Sequence, residues 1–343
     1  MSSSVQQTFP LGLHWPTVDP FLFCAHHLDA YPEGDGAFAP KASLAGRQIG
    51  SDFDGIDGWR MYHGDRVPGF PQHPHRGFET LTYARQGFID HADSMGAAAR
   101  FGRGDAQWMT AGRGVVHSEM FPLLETDRAN TGELFQIWIN LPAEHKLVEP
   151  YFTMLWDRDI PKVTRTDAEG RRSDITVIVG SLDGVTPPSP PPHSWAARPE
   201  ADLGVWHLTM EPGARVDLDA PASTETLRVV YLFEGPSLEI DGERIDADTG
   251  ALVRSDRGLQ LTAGDGPVEV MVLQGRPIGE PVARYGPFVM NTEDEIRQAF
   301  ADYQRDGFGG WPWPEDGPVH GPEAVRFARH ADGHEEREVI TPG

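Results

Sequence analysis

Glycine and proline set the tightest limit on how this chain can fold. There are 38 glycines and 30 prolines among its 343 residues. They interrupt the sequence at intervals of roughly 8–12 residues, too often for long helices and well suited to short strands joined by turns. Short apolar runs fill the gaps: Glu79 to Tyr83, Glu133 to Leu141, Ile175 to Val179, Leu227 to Phe233 and Val268 to Leu273. In Leu134-Phe135-Gln136-Ile137-Trp138-Ile139-Asn140 the two alternating faces differ in polarity, as in a half-buried strand. The pattern predicts an all-β chain of the sandwich or barrel kind. One segment departs from it. Thr292-Glu293-Asp294-Glu295, just after Asn291, has capping-box spacing with acids in the first turn. Ile296, Ala299, Phe300 and Tyr303 then share one helical face before Gly307. This predicts a single amphipathic helix over 292–305, packed on the β-structure.

The length suits two domains. Pro187-Pro188-Ser189-Pro190-Pro191-Pro192 is stiff and extended, unfit for a helix interior or a central strand. It predicts a linker over 186–200, between an N-terminal domain over 1–185 and a second over 201–309. Residues 310–343 form a tail, expected to be extended packing followed by a loose end. With 39% hydrophobic residues, including aromatic residues at 10% of the chain, the core needs neither metal nor disulfide to form.

The net charge of −23 excludes direct binding to nucleic acid or to an anionic membrane, since both rest on neutralising phosphates. Cys24 is the one cysteine and lies in the apolar run Phe21-Leu22-Phe23-Cys24-Ala25. It reads as a small buried hydrophobe. The start, Met1-Ser2-Ser3-Ser4-Val5, lacks the basic and apolar regions of a secretory signal, and no apolar run reaches membrane-span length. A cytoplasmic protein is expected.

Two of the histidine-containing segments carry chemistry. In His73-Pro74-His75 the imidazoles are two residues apart, so on a strand they point the same way. Pro74 donates no ladder hydrogen bond and places that strand at an edge or bulge. Glu79 is a further even step on. In Gly112-Arg113-Gly114-Val115-Val116-His117-Ser118-Glu119, His117 and Glu119 are again two apart. Facing strands would bring together three imidazoles and a carboxylate. Such a set suits one first-row divalent ion and leaves positions open for substrate or dioxygen. The remaining histidines are assigned structural roles: His26 and His27 are adjacent, His91 sits in an expected Asp90–Ser94 turn, and His320, His330 and His334 lie in the tail. Asp90, Asp93, Glu335 and Glu336 read as solvated charges.

At these residues the sequence resembles the pirin family of the cupin superfamily. His73-Pro74-His75-Arg76-Gly77-Phe78-Glu79-Thr80 matches its HPHRGFET motif. Trp108-Met109-Thr110-Ala111-Gly112-Arg113-Gly114 and His117-Ser118-Glu119 match the motifs that follow. Similarity continues at Asp19-Pro20-Phe21-Leu22, Leu141-Pro142 and Gly286-Pro287-Phe288-Val289-Met290-Asn291-Thr292. The resemblance implies two jelly-roll-type cupin β-barrels in one chain with a C-terminal helix, and metal in the N-terminal barrel. It places the ligands at His73, His75, His117 and Glu119. Glu79, where other cupins carry their carboxylate, becomes an alternate ligand or an outer proton acceptor. The ion implied is iron(II), with manganese, cobalt, nickel, copper and zinc as alternatives. The second barrel lacks the histidine pair around Glu225-Thr226-Leu227-Arg228 and has only His207 nearby, so it is expected to hold no metal.

Some pirin-like proteins are similar to quercetin 2,3-dioxygenases, which cleave a flavonol with dioxygen and release carbon monoxide. The resemblance therefore implies a metal-dependent dioxygenase for quercetin-type flavonols or related enolisable aromatics, with Glu119 and Glu79 as candidate proton-handling groups. Its partners would be a small aromatic substrate and dioxygen. The rival expectation is a non-catalytic iron- or redox-sensing regulator that binds a partner protein. A monomer is expected, because one chain supplies both barrels.

Overall fold

The five apolar runs all form strands: Phe78–Gln86, Asn130–Asn140, Arg172–Val179, Leu227–Glu234 and Val268–Gly275. The structure is a computed structural model and describes residues 3–339. Within these residues the chain is almost wholly β, with short 3-10 turns and one α-helix, Glu293–Asp306. The helix begins as the sequence dictates. Glu295 N–H donates to Thr292 Oγ1 at 3.3 Å, and Thr292 N–H donates to the Glu295 carboxylate at 2.8 Å. Ile296 and Ala299 are buried, Phe300 and Tyr303 pack against Phe288, and Gly307 ends the helix at φ 58°. No helix of the described residues is long and apolar enough to cross a membrane.

Two compact units result, but they are not consecutive in sequence. One comprises Met1–Ala25, Ile137–Asn140 and Arg158–Gly279; the other comprises His26–Gln136, Leu141–Asp157 and Glu280–Gly343. Their boundaries fall inside two strands, Phe21–Tyr31 and Asn130–Asn140. These units do not follow the linear division at 186–200. Pro187 and Pro191 are buried, Ser194 caps the turn Trp195–Ala197, and Trp195 Nε1 donates to the Arg276 carbonyl at 2.8 Å. Proline rings lack a donor but pack well, so a linker-like run forms a wall of one unit. Long-range pairing hid the rest: Val5–Pro10 pairs antiparallel with Thr249–Val253.

The first unit has a seven-stranded sheet in the order Val5–Pro10, Thr249–Val253, Leu227–Glu234, Val268–Gly275, Gly204–Met210, Arg172–Val179, Lys162–Thr166. A second sheet in this unit runs Arg215–Leu218, Leu259–Ala263, Ser237–Ile240, Glu243–Asp246. The core is almost entirely aliphatic, including Ile175, Val177, Leu208, Val230, Leu261 and Val270. His207 is spent on a hydrogen bond with Glu269 at 2.7 Å. Among the described residues this unit contains no group of metal-ligating side chains. Cys24 is fully buried, and burial pushes its thiol pKa far up.

The second unit has a sheet in the order Glu335–Val339, Val325–Arg329, Ala98–Gly102, Phe88–Asp93, Val115–Met120, Gly69–His75. Its other strands include Tyr151–Leu155, Asp105–Thr110 and Phe78–Gln86, which are sheet neighbours in that order. The tail packs in extended form, and its expected loose end is instead built into the first of these sheets as far as Val339: Val325–Arg329 pairs with Ala98–Gly102, and Glu335–Val339 pairs with Val325–Arg329. Residues 340–343 lie outside the described residues. Of the four carboxylates read as solvated, Glu335 is exposed and the other three are structural. Asp93 is buried and accepts the Met95 and Ala97 N–H groups; Glu336 accepts Trp156 Nε1–H and pairs with His330.

Asp90 is the clearest case. Arg100 donates Nε and Nη2 to its two oxygens at 2.7 and 2.6 Å, and both residues are completely buried. Sequence cannot show this, since the partner lies across a hairpin. Replacing Asp90 by Ala would leave a buried guanidinium without its counter-ion. Denaturant unfolding followed by tryptophan fluorescence should show a loss of about 3–5 kcal/mol. Asp246→Ala, on an exposed pair with Arg244, should stay within about 0.5 kcal/mol.

Candidate metal centre

A strand at the end of its sheet, a turn and a hairpin set the chemistry in place. Gly69–His75 pairs antiparallel with Val115–Met120, and the register sets His73 directly opposite His117. The ring centroids lie 4.4 Å apart for His73 and His117, 4.8 Å for His73 and His75, and 4.9 Å for His75 and His117. One nitrogen from each ring falls within 4.8 Å of the others. Among the described residues, this is the only such close group of metal-ligating side chains.

Backbone carbonyls orient two of the rings. His73 Nδ1 lies 2.8 Å from the Pro71 carbonyl, and His75 Nδ1 lies 3.4 Å from that of Pro287. A ring that donates Nδ1–H keeps the lone pair on Nε2, the usual arrangement of a metal-bound imidazole. His117 is completely buried, and neither of its nitrogens has a hydrogen-bond partner. Burial holds all three imidazoles neutral: the His73 pKa is lowered to about 4, and those of His75 and His117 fall well below the ordinary 6.5. Three neutral imidazoles converging on one point, one with two orphaned nitrogens, fit a divalent first-row ion. His75 and His117 are buried while His73 is half-exposed, so the group opens to solvent on the His73 side.

The turn after His75 separates the two candidate carboxylates. Gly77 sits at φ 84°, and a Cβ there would lie 2.0 Å from the Val289 carbonyl oxygen, so only glycine fits. Lys146 Nζ, almost fully buried, donates to the Gly77 carbonyl at 2.9 Å. Arg76 donates to the Arg113 carbonyl and to Asp302 on the helix. The chain therefore starts a new strand at Phe78, and counting even steps from His75 to Glu79 has no meaning across the turn. Thr82 faces the interior, and Glu79, three residues before it, faces the other side. There Glu79 accepts the Thr110 hydroxyl at 2.6 Å. The inward placement expected for Glu79 does not hold.

Glu119 does face inward, in line with His117. Its oxygens accept the Thr82 hydroxyl and Gln136 Nε2–H, each at 2.9 Å. Burial raises its pKa above the ordinary 4.5. It is not one of the close group that the three imidazoles form.

Sequence reading missed His91. It lies on the strand Phe88–Asp93, fully buried, paired in register with Glu119 and 5.6 Å from His117 between ring centroids. Its Nε2 is 3.1 Å from Asp93 Oδ2, and its ring stacks on Phe152 at 5.1 Å. The signal was available: Ile89, His91 and Asp93 alternate with Phe88, Asp90 and Ala92 as on a strand. Gln136 and Thr82 were also missed: Gln136 lies on the polar face of a strand read as half-buried, and Thr82 lies within a run read as apolar.

Known proteins bear on this arrangement. The family model described as Pirin matches residues 4–139, and that described as Pirin C-terminal cupin domain matches 205–309. A Pseudomonas aeruginosa protein provisionally named a quercetin 2,3-dioxygenase is 38% identical over 241 residues, covering 70% of this chain and 79% of its own length. A pirin-like protein of Solanum lycopersicum is 35% identical over 286 residues, covering 81% and 90%. The crystal structure of a quercetin 2,3-dioxygenase from Acinetobacter baumannii superposes with a TM-score of 0.70 at 25% identity, covering 90% of this chain and 98% of that one. The two matched segments carry the histidine barrel and the aliphatic one, and on this combined ground the chain belongs to the pirin family.

Proposed function

We propose that this chain is a metal-dependent dioxygenase that opens quercetin-type flavonols or related enolisable aromatics. The carrying observation is the convergence of His73, His75 and His117, with both His117 nitrogens buried and unpartnered. The similar Acinetobacter baumannii protein, titled a quercetin 2,3-dioxygenase, supports the choice of reaction. The three imidazoles would hold the ion, iron(II) in first place. A bound divalent ion would lower the pKa of the flavonol 3-hydroxyl and favour its enolate.

The chain's own groups do the rest. Pro71 and Pro287 carbonyls hold the His73 and His75 rings in the tautomer that leaves Nε2 free to bind. Glu119 is the proton acceptor next to the imidazoles. Burial raises its basicity above that of a solvated carboxylate, while Thr82 and Gln136 fix its two oxygens. The same carboxylate could complete the ligand set as a fourth donor, as the family motif implies. The half-exposed side of His73 gives the approach for a flat aromatic.

Oxygen uptake with quercetin, using protein stripped of metal and reloaded with iron, manganese, cobalt, nickel, copper or zinc, tests the reading. Uptake should depend on the ion and vanish in His117→Ala; unchanged uptake there would remove metal from the mechanism. Glu119→Gln should lower kcat by about 10²–10⁴-fold. Glu79→Gln, on the far face of its strand, should stay within a few-fold.

Acid gives an independent check on the imidazoles. Their folded pKa values lie below the unfolded value of about 6.5, so the unfolded chain takes up protons first as pH falls. Their contribution is complete above about pH 6.5 and is lost progressively towards 4. The melting temperature of metal-free protein should drop across this window. The drop should be smaller in the triple variant His73→Gln/His75→Gln/His117→Gln, and equal slopes would mean the rings are solvated.

A further inference from the structure

Residues 310–324, between the helix and the last hairpin, lie beyond both family-model matches, which end at 139 and 309. They are nonetheless tied down at close intervals. Trp313 Nε1 donates to the Asp93 carbonyl at 2.8 Å. Gln72 donates its backbone N–H to the Asp316 carbonyl and its Nε2–H to Asp316 Oδ1, both at 2.7 Å. Gly317 lies so close over Met120 that a Cβ would fall 2.8 Å from its sulfur. His320 N–H donates to the Asp90 carboxylate, its Nε2 meets the His91 carbonyl, and Arg100 holds the Gly321 and Glu323 carbonyls. The segment thus grips Gly69–His75 and Phe88–Asp93, the two strands that flank the His117 strand.

The first of those strands needs the support. Gly69–His75 ends its sheet, and its one sheet neighbour is Val115–Met120. Pro71 and Pro74 take away two of its donors, and the register slips between Phe70 and His73. Gln72 sits within the slip. On one side of it is Pro71, whose carbonyl orients the His73 ring; on the other is His73 itself. A two-point bond to Asp316 fixes the residue on which the aim of His73 depends.

We propose that residues 310–324 are a strap, and that its Gln72–Asp316 contact positions His73 and His75 for the metal ion. Gln72 and Asp316 are then positioning residues of the centre, acting through Pro71 and His73. This rests on the metal-binding reading of the three imidazoles. Losing a partner that orients a metal-bound imidazole costs about 10–100-fold in affinity. A contact one step further out should cost towards the lower end.

Cobalt(II) added to the full-length, metal-free chain is the probe, read by competition for affinity and by its visible absorption bands for geometry. Asp316→Ala should bind cobalt about tenfold more weakly, with shifted bands. Asp316→Asn keeps an acceptor oxygen and should restore both. Gln72→Leu removes the same side-chain bond from the other side and should repeat the loss, which keeps the test intact if Asp316→Ala folds poorly. Arg326→Ala cuts the tail's ion pair with Asp105 away from the centre and should leave affinity and bands unchanged. Wild-type affinity and bands in both Asp316→Ala and Gln72→Leu would overturn the strap alone, as would an equal loss in Arg326→Ala. Wild-type protein that binds no cobalt would overturn the metal reading, and the strap with it.

Discussion

The centre depends on keeping imidazoles uncharged in a place with little water. Three rings packed within 5 Å of one another, His73, His75 and His117, would repel strongly if protonated. Desolvation prevents that by making the charged form costly, and the same desolvation leaves lone pairs available to a cation. A metal ion is the group that can reward such an arrangement, because it would give one of the two unpartnered His117 nitrogens a strong bond. Everything nearby serves to hold neutral rings at fixed angles: carbonyls on Nδ1, a glycine turn after His75, and a buried lysine bracing that turn.

The aliphatic unit sharpens the point, since it uses similar strands with the opposite filling. There the interior is mostly Val, Ile and Leu, and His207 is hydrogen-bonded to Glu269. In the histidine unit, polar groups fill much of the interior, His91 with Asp93 and Glu119 with Thr82 and Gln136, while Asp90 and Arg100 are buried on the opposite face of the His91 strand. Buried polar groups need partners or they cost stability. Gln107, opposite Thr82 in register and fully buried, has no partner for either amide atom. Such a polar interior contributes less to stability than an aliphatic one would. It is retained where chemistry needs it, and the aliphatic unit shows that the fold itself does not.

Local pattern carried the elements and the histidine pairs, and long-range pairing carried what was hidden. Strands such as Leu227–Glu234 and the capped helix follow from periodicity and from Thr292 and Glu295, whose partners are close in sequence. The histidine pairs follow from two-residue spacing. By contrast, the unit boundaries depend on Val5–Pro10 reaching Thr249–Val253, and the state of Asp90 depends on Arg100 across a hairpin. His91 was assigned to a turn because Asp90, Asp93 and Ser94 are turn formers, yet the hairpin closes only after Asp93. Each error was a tertiary partner overriding a local preference.

The choice between the two carboxylates turns on one glycine. With Gly77 in the left-handed region the chain leaves the His75 strand and re-enters as a new one. Phe78, 5.0 Å from His75, then occupies the side next to the imidazoles, and Glu79 is sent to the other face to meet Thr110. A different turn would shift the parity of the whole strand by one residue. It would bring Glu79 inward and carry Thr82 out, leaving Glu119 without one of its two partners. The backbone at Gly77 therefore selects which carboxylate can serve the centre, although Gly77 contributes no side chain to it.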